Sequence, residues 1–496
     1  MSNSIYRFRS IDKILSTEDL NGTNQTKEIP ITGYDELRKQ QIYFSPLNSL
    51  NDPMEGYRDI YWDGDEIVWR NFIKHYLLCL EHIYGSFCIG GKDFPLSSTD
   101  ILVFQKYSDL PTDEYKHLFD EILSRFFSNE NAKLYPKRLA ERQISIKRNE
   151  LLSYLRSIHT YALFCIANVY QKHGMVEHKP SIEEFDPQSL IFTEEFFVAA
   201  NQFAMENTDK SAAIEEIYAA QTIVYEEVCL IHKYNSHNFR ANQDFLLLRF
   251  PIEYLKQIEQ LLYPNNYVAC FSEECTNSSM WAHYAENHSG ICLQFKTDTN
   301  FNINLYTITS TGGHKKGDEI ISTDIYGNRK YRLSKVQYDA KHPEIDFFRS
   351  LGQLPIPHLN EVWFYDENGK CSVCANGIVS ENEEWRRQYW ERHQEGLITK
   401  SSDWQYEKEY RAILTTFVID GEKSSKNTTY NFETLEGIIF GMNTKTEHKL
   451  AIIKIIDEKC RENSREDFKF YQAYYSQSTG KIEKKELSFL TPKHNR

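Results

Sequence analysis

No apolar run in this chain of 496 residues is long enough to cross a bilayer; the most suggestive, Tyr161–Tyr170, is about half of what a span requires. Arg7 and Arg9 near the start are not followed by an apolar segment, so a secretory leader is not expected. Cysteine is dilute, with ten in all, most of them flanked by apolar residues as in Leu78-Cys79-Leu80 and Val228-Cys229-Leu230. That usage argues against a disulfide framework and for free thiols in a reducing compartment, so the cytoplasm is the expected location. Positive charge is also in deficit: Lys plus Arg number 57 against 71 Asp plus Glu, a formal net charge of −14. Such a balance disfavours tight nonspecific binding to a phosphate backbone, although a local basic patch is compatible with it. The sequence contains no repeat period, phosphate loop, dinucleotide GxGxxG, HExxH helix or nucleophile elbow, which removes the usual support for the corresponding enzyme classes.

The chain is rich in core material, with 41% hydrophobic residues, 30 Phe and 32 Tyr. Its length suits two to four domain-sized units or one elaborated domain. Strand-like alternation marks Ile5–Arg9, Gln41–Ser45, Tyr267–Phe271, Gly290–Phe295, Tyr410–Val418, Gly437–Gly441 and Phe468–Tyr471. Helical spacing marks Ile214 to Ile231, Ile252 to Leu262, Leu450–Ile456 and a Trp/Arg-rich stretch near Glu383–Gln394. Lys106–Glu150 is polar enough to predict a surface excursion. The expected class is α+β, with β-rich core sheets and a large inserted helical subdomain. The predicted division places the N-terminal part of the core in 1–60, the helical insertion in 61–262 and core strands with a motif loop in 263–300. A second insertion, with loop signals such as Gly312-Gly313, occupies 301–400, and 401–496 completes the core.

Three clusters carry groups able to do chemistry. In the first, Cys270-Phe271-Ser272 leads through Cys275 to Met280-Trp281-Ala282-His283-Tyr284-Ala285 and His288-Ser289-Gly290. Ser272 sits at a strand end, positioned to project into a pocket. Trp281, Tyr284 and Ala285 share a helix face that His283 does not. The order Cys270, Cys275, His283, His288 is superficially finger-like, but the gap between the pairs is short and no metal is expected. Cys371-Ser372-Val373-Cys374 reads as a pair of free thiols. In the second cluster, Tyr406-Glu407-Lys408-Glu409-Tyr410-Arg411, an extended backbone puts Glu407, Glu409 and Arg411 on one face. They suit either a ribose-binding or cation-stabilising pair of carboxylates or an edge-strand salt-bridge ladder. The third joins Tyr6-Arg7-Phe8-Arg9 to the rigid polar turn Asn51-Asp52-Pro53-Met54-Glu55-Gly56, an anion or nucleotide anchor or else a surface arginine beside a capped turn.

In this order the clusters, with Ile42–Pro46, Trp404 and Gly437–Gly441, resemble the bacterial family known as domain of unknown function 2971, with both insertions outside the resemblance. The order of an early strand with Arg, a middle strand with a hydroxyl and a late strand with Glu is also similar to that of ADP-ribosyltransferase folds. That similarity implies an NAD-dependent transferase or NAD-cleaving enzyme, of the kind used as toxins or phage-defence effectors. It implies catalytic roles for Glu409, Ser272 and His283, with Glu407 competing for that of Glu409. NAD contacts are implied for Arg7, Tyr6, Asn51, Asp52, Tyr284 and Arg411. The rival reading is a non-enzymatic sensor or protein-interaction module in which the same elements lock a sheet corner. Acceptor and oligomeric state are left open.

Overall fold

The computed structural model describes residues 3–16, 35–91, 95–176, 186–206, 210–235, 241–316, 319–379, 382–416 and 427–490. The chain divides into two compact units: unit 1 is Met1–Tyr57, Asn265–His342 and Glu395–Arg496; unit 2 is Arg58–Pro264 and Pro343–Gln394. The class is α+β. Residues 301–400 are shared between the units, and no helix among the described residues is long and apolar enough to cross a membrane.

Unit 1 is built on a nine-stranded sheet: β1 (Asn3–Arg9), β3 (Ser45–Pro46), β6 (Asn265–Ser272), β7 (Ile291–Thr297), β10 (Ser334–Lys335), β14 (Glu409–Thr416), β16 (Leu435–Phe440), β17 (Lys469–Ser476) and β18 (Lys481–Glu486). Their order is β10-β14-β6-β1-β7-β16-β17-β18, with β3 also on β6. Helix α10 (Thr446–Glu462) connects β16 to the parallel β17 and packs Ile452, Ile455 and Ile456 into the same core as Leu293, Phe295, Ile438 and Phe470. Gln41–Ser45 forms two strands rather than the single one expected. β2 (Gln41–Tyr43) joins β15 (Asn427–Tyr430), β8 (Asn302–Lys316) and β9 (Glu319–Arg332) in a second sheet, while β3 turns onto β6. The Gly312-Gly313 stretch lies within the β8–β9 hairpin, not in a loop. Val418 lies outside the described residues. A short parallel pair, β11 (Gln337–Tyr338) with β13 (Thr399–Lys400), completes the unit.

One edge of β6 positions the candidate site. β1 meets it at a single register pair, Tyr6↔Ser272, and β3 meets it at Val268 and Tyr267. Between these contacts the Cys270 carbonyl has no strand partner on that side and accepts from the Arg7 guanidinium at 3.4 Å, so a notch opens in the sheet.

Unit 2 is mainly helical. Its centre is α1 (Glu66–Gly90) and α4 (Arg148–Lys172), both buried along most of their length, with α7 (Phe250–Ile258) and the small sheet β12 (Glu344–Asp346), β4 (Asp59–Trp62) and β5 (Ile146–Lys147). Asp65 caps α1 by accepting from the Val68 backbone N–H at 3.2 Å. The surface excursion predicted for Lys106–Glu150 is not found. α2 (Asp113–Phe126) and α3 (Glu130–Ala140) bury Phe119, Ile122, Phe126, Tyr135 and Leu139 in the main core. Their polar composition belongs to their outer faces, which hides the apolar stripe in a residue count.

Two histidines are built into this core as neutral hydrogen-bonding groups. His75 lies between the Tyr254 hydroxyl (2.8 Å) and the Val103 carbonyl (3.0 Å), and His159 between the Tyr76 hydroxyl (2.7 Å) and the Leu246 carbonyl (2.8 Å). Burial pushes each down to about 4. In the unfolded chain each titrates near 6.5, so below that pH the unfolded state binds the extra protons. Unit 2 therefore keeps its full stability above pH 6.5 and loses about 1–2 kcal/mol per histidine between pH 6.5 and 5, above the range in which ordinary carboxylates titrate. Urea midpoints followed by far-UV circular dichroism at pH 7.5 and 5.0 test this, and equal midpoints would refute it.

Candidate functional site

A cavity of about 250 Å³ occupies the notch, lined entirely by unit 1. Strand register assembles it. Tyr6, Ser272 and Glu409 are Cα partners across β1, β6 and β14, so residues over a hundred positions apart stand in one row on one sheet face. Arg7, Arg9 and Lys13 form a basic side of the lining; Glu55, Glu407 and Glu409, with Lys400, form the opposite, acidic side.

The acidic side is a closed ion-pair network. Arg411, fully buried, donates from Nε to Glu409 Oε1 (2.8 Å) and from Nη2 to Glu409 Oε2 (3.0 Å) and Glu55 Oε1 (2.8 Å), with Nη1 on the Leu397 carbonyl (2.7 Å). Lys400 Nζ lies 2.6 Å from Glu407, 3.0 Å from Glu55 and 3.3 Å from Glu409. Burial pushes the Glu409 carboxyl up, but Arg411 and Lys400 outweigh it and hold the group down at about 2. For Glu55 burial wins, and its carboxyl is raised despite the same two cations. Burial also works against the charge on Lys400, yet Glu409, Glu407 and Glu55 together raise its pKa. Three carboxylates against two cations leave one formal negative charge.

Glu407 lines the cavity together with Glu55 and Glu409. Glu407 is the last residue of a 3-10 segment, Ser402–Glu407; Lys408 follows in a left-handed conformation (φ 45°), and β14 begins only at Glu409. The single extended face expected for Glu407, Glu409 and Arg411 is therefore corrected: the backbone reverses between the two carboxylates, and both still reach the cavity. The alternative of an edge-strand ladder is also corrected, because β14 lies between β10 and β6 and its charges are buried. Glu407 accepts a short hydrogen bond from the Tyr284 hydroxyl, which is itself bonded to the Asn51 amide. Burial, followed by the Glu407 charge, raises the Tyr284 phenol, so it stays a donor at neutral pH.

Opposite, Arg7 is 7% exposed and donates to the carbonyls of Tyr43 (3.0 Å) and Cys270 (3.4 Å). No carboxylate among the described residues pairs with it. Burial, with Arg9 nearby, lowers it to about 9, still charged at neutral pH. Arg9 is neutralised by two bonds to Glu36, at 2.8 and 2.9 Å.

The remaining candidates divide. Tyr6, Asn51 and Tyr284 line the cavity. Ser272 also lines it, but its hydroxyl donates to the Glu407 carbonyl at 2.8 Å and so fixes the segment carrying that carboxylate. Asp52 stands behind the lining: one oxygen accepts from Met54 N–H (2.9 Å) and the other from Ser401 N–H (3.2 Å), tying the Asn51–Gly56 turn to the residue after Lys400. Arg411 lies behind the lining too. His283 is outside the cavity, exposed on α8 (Ser278–Tyr284) with its ring 6.3 Å from that of Tyr406, because Trp281 and Ala285 take the buried face. Among the described residues no three His, Cys, Asp or Glu side chains gather as a metal set, and all ten cysteines are free.

Sequence reasoning did not assign roles to Lys400, Glu55 or Lys13. Glu55 stands in the quoted turn motif and was within reach, whereas Lys400 lies in a stretch read as an insertion and carries no local signal.

Residues 280–412 match the family described as protein of unknown function, DUF2971. The DUF2971 region contains Tyr284, Lys400, Glu407, Glu409 and Arg411, while Arg7, Asn51, Glu55 and Ser272 lie outside it. It runs through residues 301–400, which the sequence reading had set apart from the family. No curated protein and no solved structure matches the chain.

Proposed function

We propose that unit 1 binds NAD in the β6 notch and breaks the bond between nicotinamide and ribose. The observation that carries this reading is the presence, within one cavity, of a buried arginine that pairs with no carboxylate among the described residues and of a carboxylate network with one formal negative charge in excess. A buried guanidinium is costly unless an anion reaches it, and a phosphate is suited to do so. The cavity falls below the roughly 300–1,000 Å³ of whole-ligand sites, so it suits one nucleoside half of a dinucleotide with the remainder outside.

In the reaction the ribose C1′–nitrogen bond breaks and its electron pair leaves with nicotinamide. Water or an acceptor hydroxyl then adds to C1′ and loses its proton. Positive charge grows on the ribose, and a fixed carboxylate beside it lowers the barrier. Glu407 is the residue assigned that role. Glu409 is held by Arg411 and Lys400 and serves as a positioning residue, Ser272 anchors the Glu407 backbone, and Tyr284 orients the Glu407 carboxylate. A second reading, a purely structural clamp, is favoured by the complete pairing of Glu409.

Titrating the full-length protein with NAD by calorimetry, then following nicotinamide release, separates the two. Binding that is weakened by Arg7→Leu, together with release that depends on Glu407, is expected. No binding and no release would leave the clamp.

A further inference from the structure

Helix α6 (Lys210–Asn235) of unit 2 is apolar on both sides, yet only one side is covered. Its inner face buries Ile214 and Tyr218, the latter 6.2 Å from the Tyr154 ring of α4, and Arg156 stacks on Tyr225 at 3.8 Å. The opposite side carries Ile217, Val224, Val228 and Ile231 along one row and Ile223 and Leu230 beside it, from 52% to 67% exposed. At 3.6 residues per turn these span an arc of roughly 160°, interrupted by two charges, Glu216 and Glu227. A run of large apolar side chains on the outer face of a helix marks a contact surface. Val198, Phe203 and Met205 of the preceding helix α5 (Glu194–Glu206) are exposed as well.

We infer that this face is where a second copy of the chain docks, α6 packing antiparallel on α6 about a two-fold axis at Val224. The exposed apolar area of the stripe is on the order of 800 Å², about what each partner gives to a standard stable interface and more than a monomer usually leaves in one patch. The row is self-complementary in that register: Ile217 meets the partner's Ile231, and Val224 meets itself.

Light scattering coupled to size exclusion on the full-length protein, at about 50 μM where interfaces of this area are populated, is expected to give the mass of two chains. Val224→Glu is expected to give the mass of one with an unchanged far-UV circular dichroism spectrum, since the side chain is exposed. In a Cys371→Ser background, Val224→Cys is expected to form an interchain disulfide in air with a copper catalyst, whereas Glu226→Cys, off the stripe, does not. A wild-type mass of one chain, a dimer that survives Val224→Glu, or equal cross-linking at both positions overturns the inference.

Discussion

Arg411→Ala is expected to lower the unfolding free energy of unit 1 by about 3–5 kcal/mol, the range found when one member of a buried ion pair is removed. Arg411 makes two hydrogen bonds to Glu409 and also holds Glu55, so its removal takes the guanidinium from both buried carboxylates and leaves Lys400 as the cation beside them. A loss of that size is a large part of the 5–15 kcal/mol that typically separates folded from unfolded. The deficit is expected to shrink in Arg411→Met combined with Glu409→Gln, because one of the two stranded carboxylates is then gone and Lys400 faces two in place of three. Urea unfolding of the single and double variants measures this, and a single variant with the wild-type midpoint would mean that the network contributes nothing to the fold. The acid response has a defined sign. Glu409 is depressed to about 2, so the stability it contributes is fully present above the unfolded carboxylate value near 4.5 and is lost as pH falls from there towards 2. Glu55 is raised and opposes this trend, because protonation is easier for it in the folded state than in the unfolded one.

Glu407→Gln is expected to cut nicotinamide release by about 10²–10³-fold while leaving NAD affinity within a few-fold, the pattern of an interaction made mainly in the transition state. The substitution keeps the size of the side chain but leaves one acceptor oxygen for two donors, since Tyr284 donates to Oε1 and Lys400 to Oε2 of Glu407, so one of these bonds is lost with the charge. Arg7→Leu is expected to do the reverse, weakening NAD binding by at least about tenfold, in line with the 1.5–3 kcal/mol of a hydrogen bond to a charged group. Single-turnover release together with calorimetric titration resolves the two effects. Wild-type release from Glu407→Gln protein would remove this carboxylate from the chemistry.

Much of unit 1 was legible in the sequence because its strands are short apolar alternations bounded by turn residues. Ile5–Arg9, Tyr267–Phe271, Gly290–Phe295 and Gly437–Gly441 all lie in or at the ends of strands, and Leu450–Ile456 lies in the crossover helix. The α+β class followed from them. Period-two spelling also misled. Glu407, Glu409 and Arg411 alternate as a strand would, yet Lys408 adopts a left-handed conformation and the first carboxylate belongs to a 3-10 turn. Nothing local marks that reversal, since Ser272 enforces it from across the sheet through the Glu407 carbonyl. Lys400 was missed because it closes a stretch read as an insertion and one of its partners, Glu55, lies far back in the chain, although Glu407 and Glu409 follow it by only 7 and 9 residues. His283 could have been set aside on helical geometry alone, because Trp281 and Ala285 already claim the covered face.

The separation between Glu55 and Arg411, 356 residues, has a consequence for biosynthesis. At about 5–20 residues per second a ribosome needs roughly 20–70 seconds to add the second after the first. Throughout that interval the acidic side chain has no guanidinium to meet, and the strand that will carry its partners does not exist. The helical stretch 58–264 has by then left the peptidyl-transferase centre in full. The notch beside β6 is therefore among the last features the nascent chain can acquire, and a truncated translation product ending before β14 lacks Glu409 of its acidic lining.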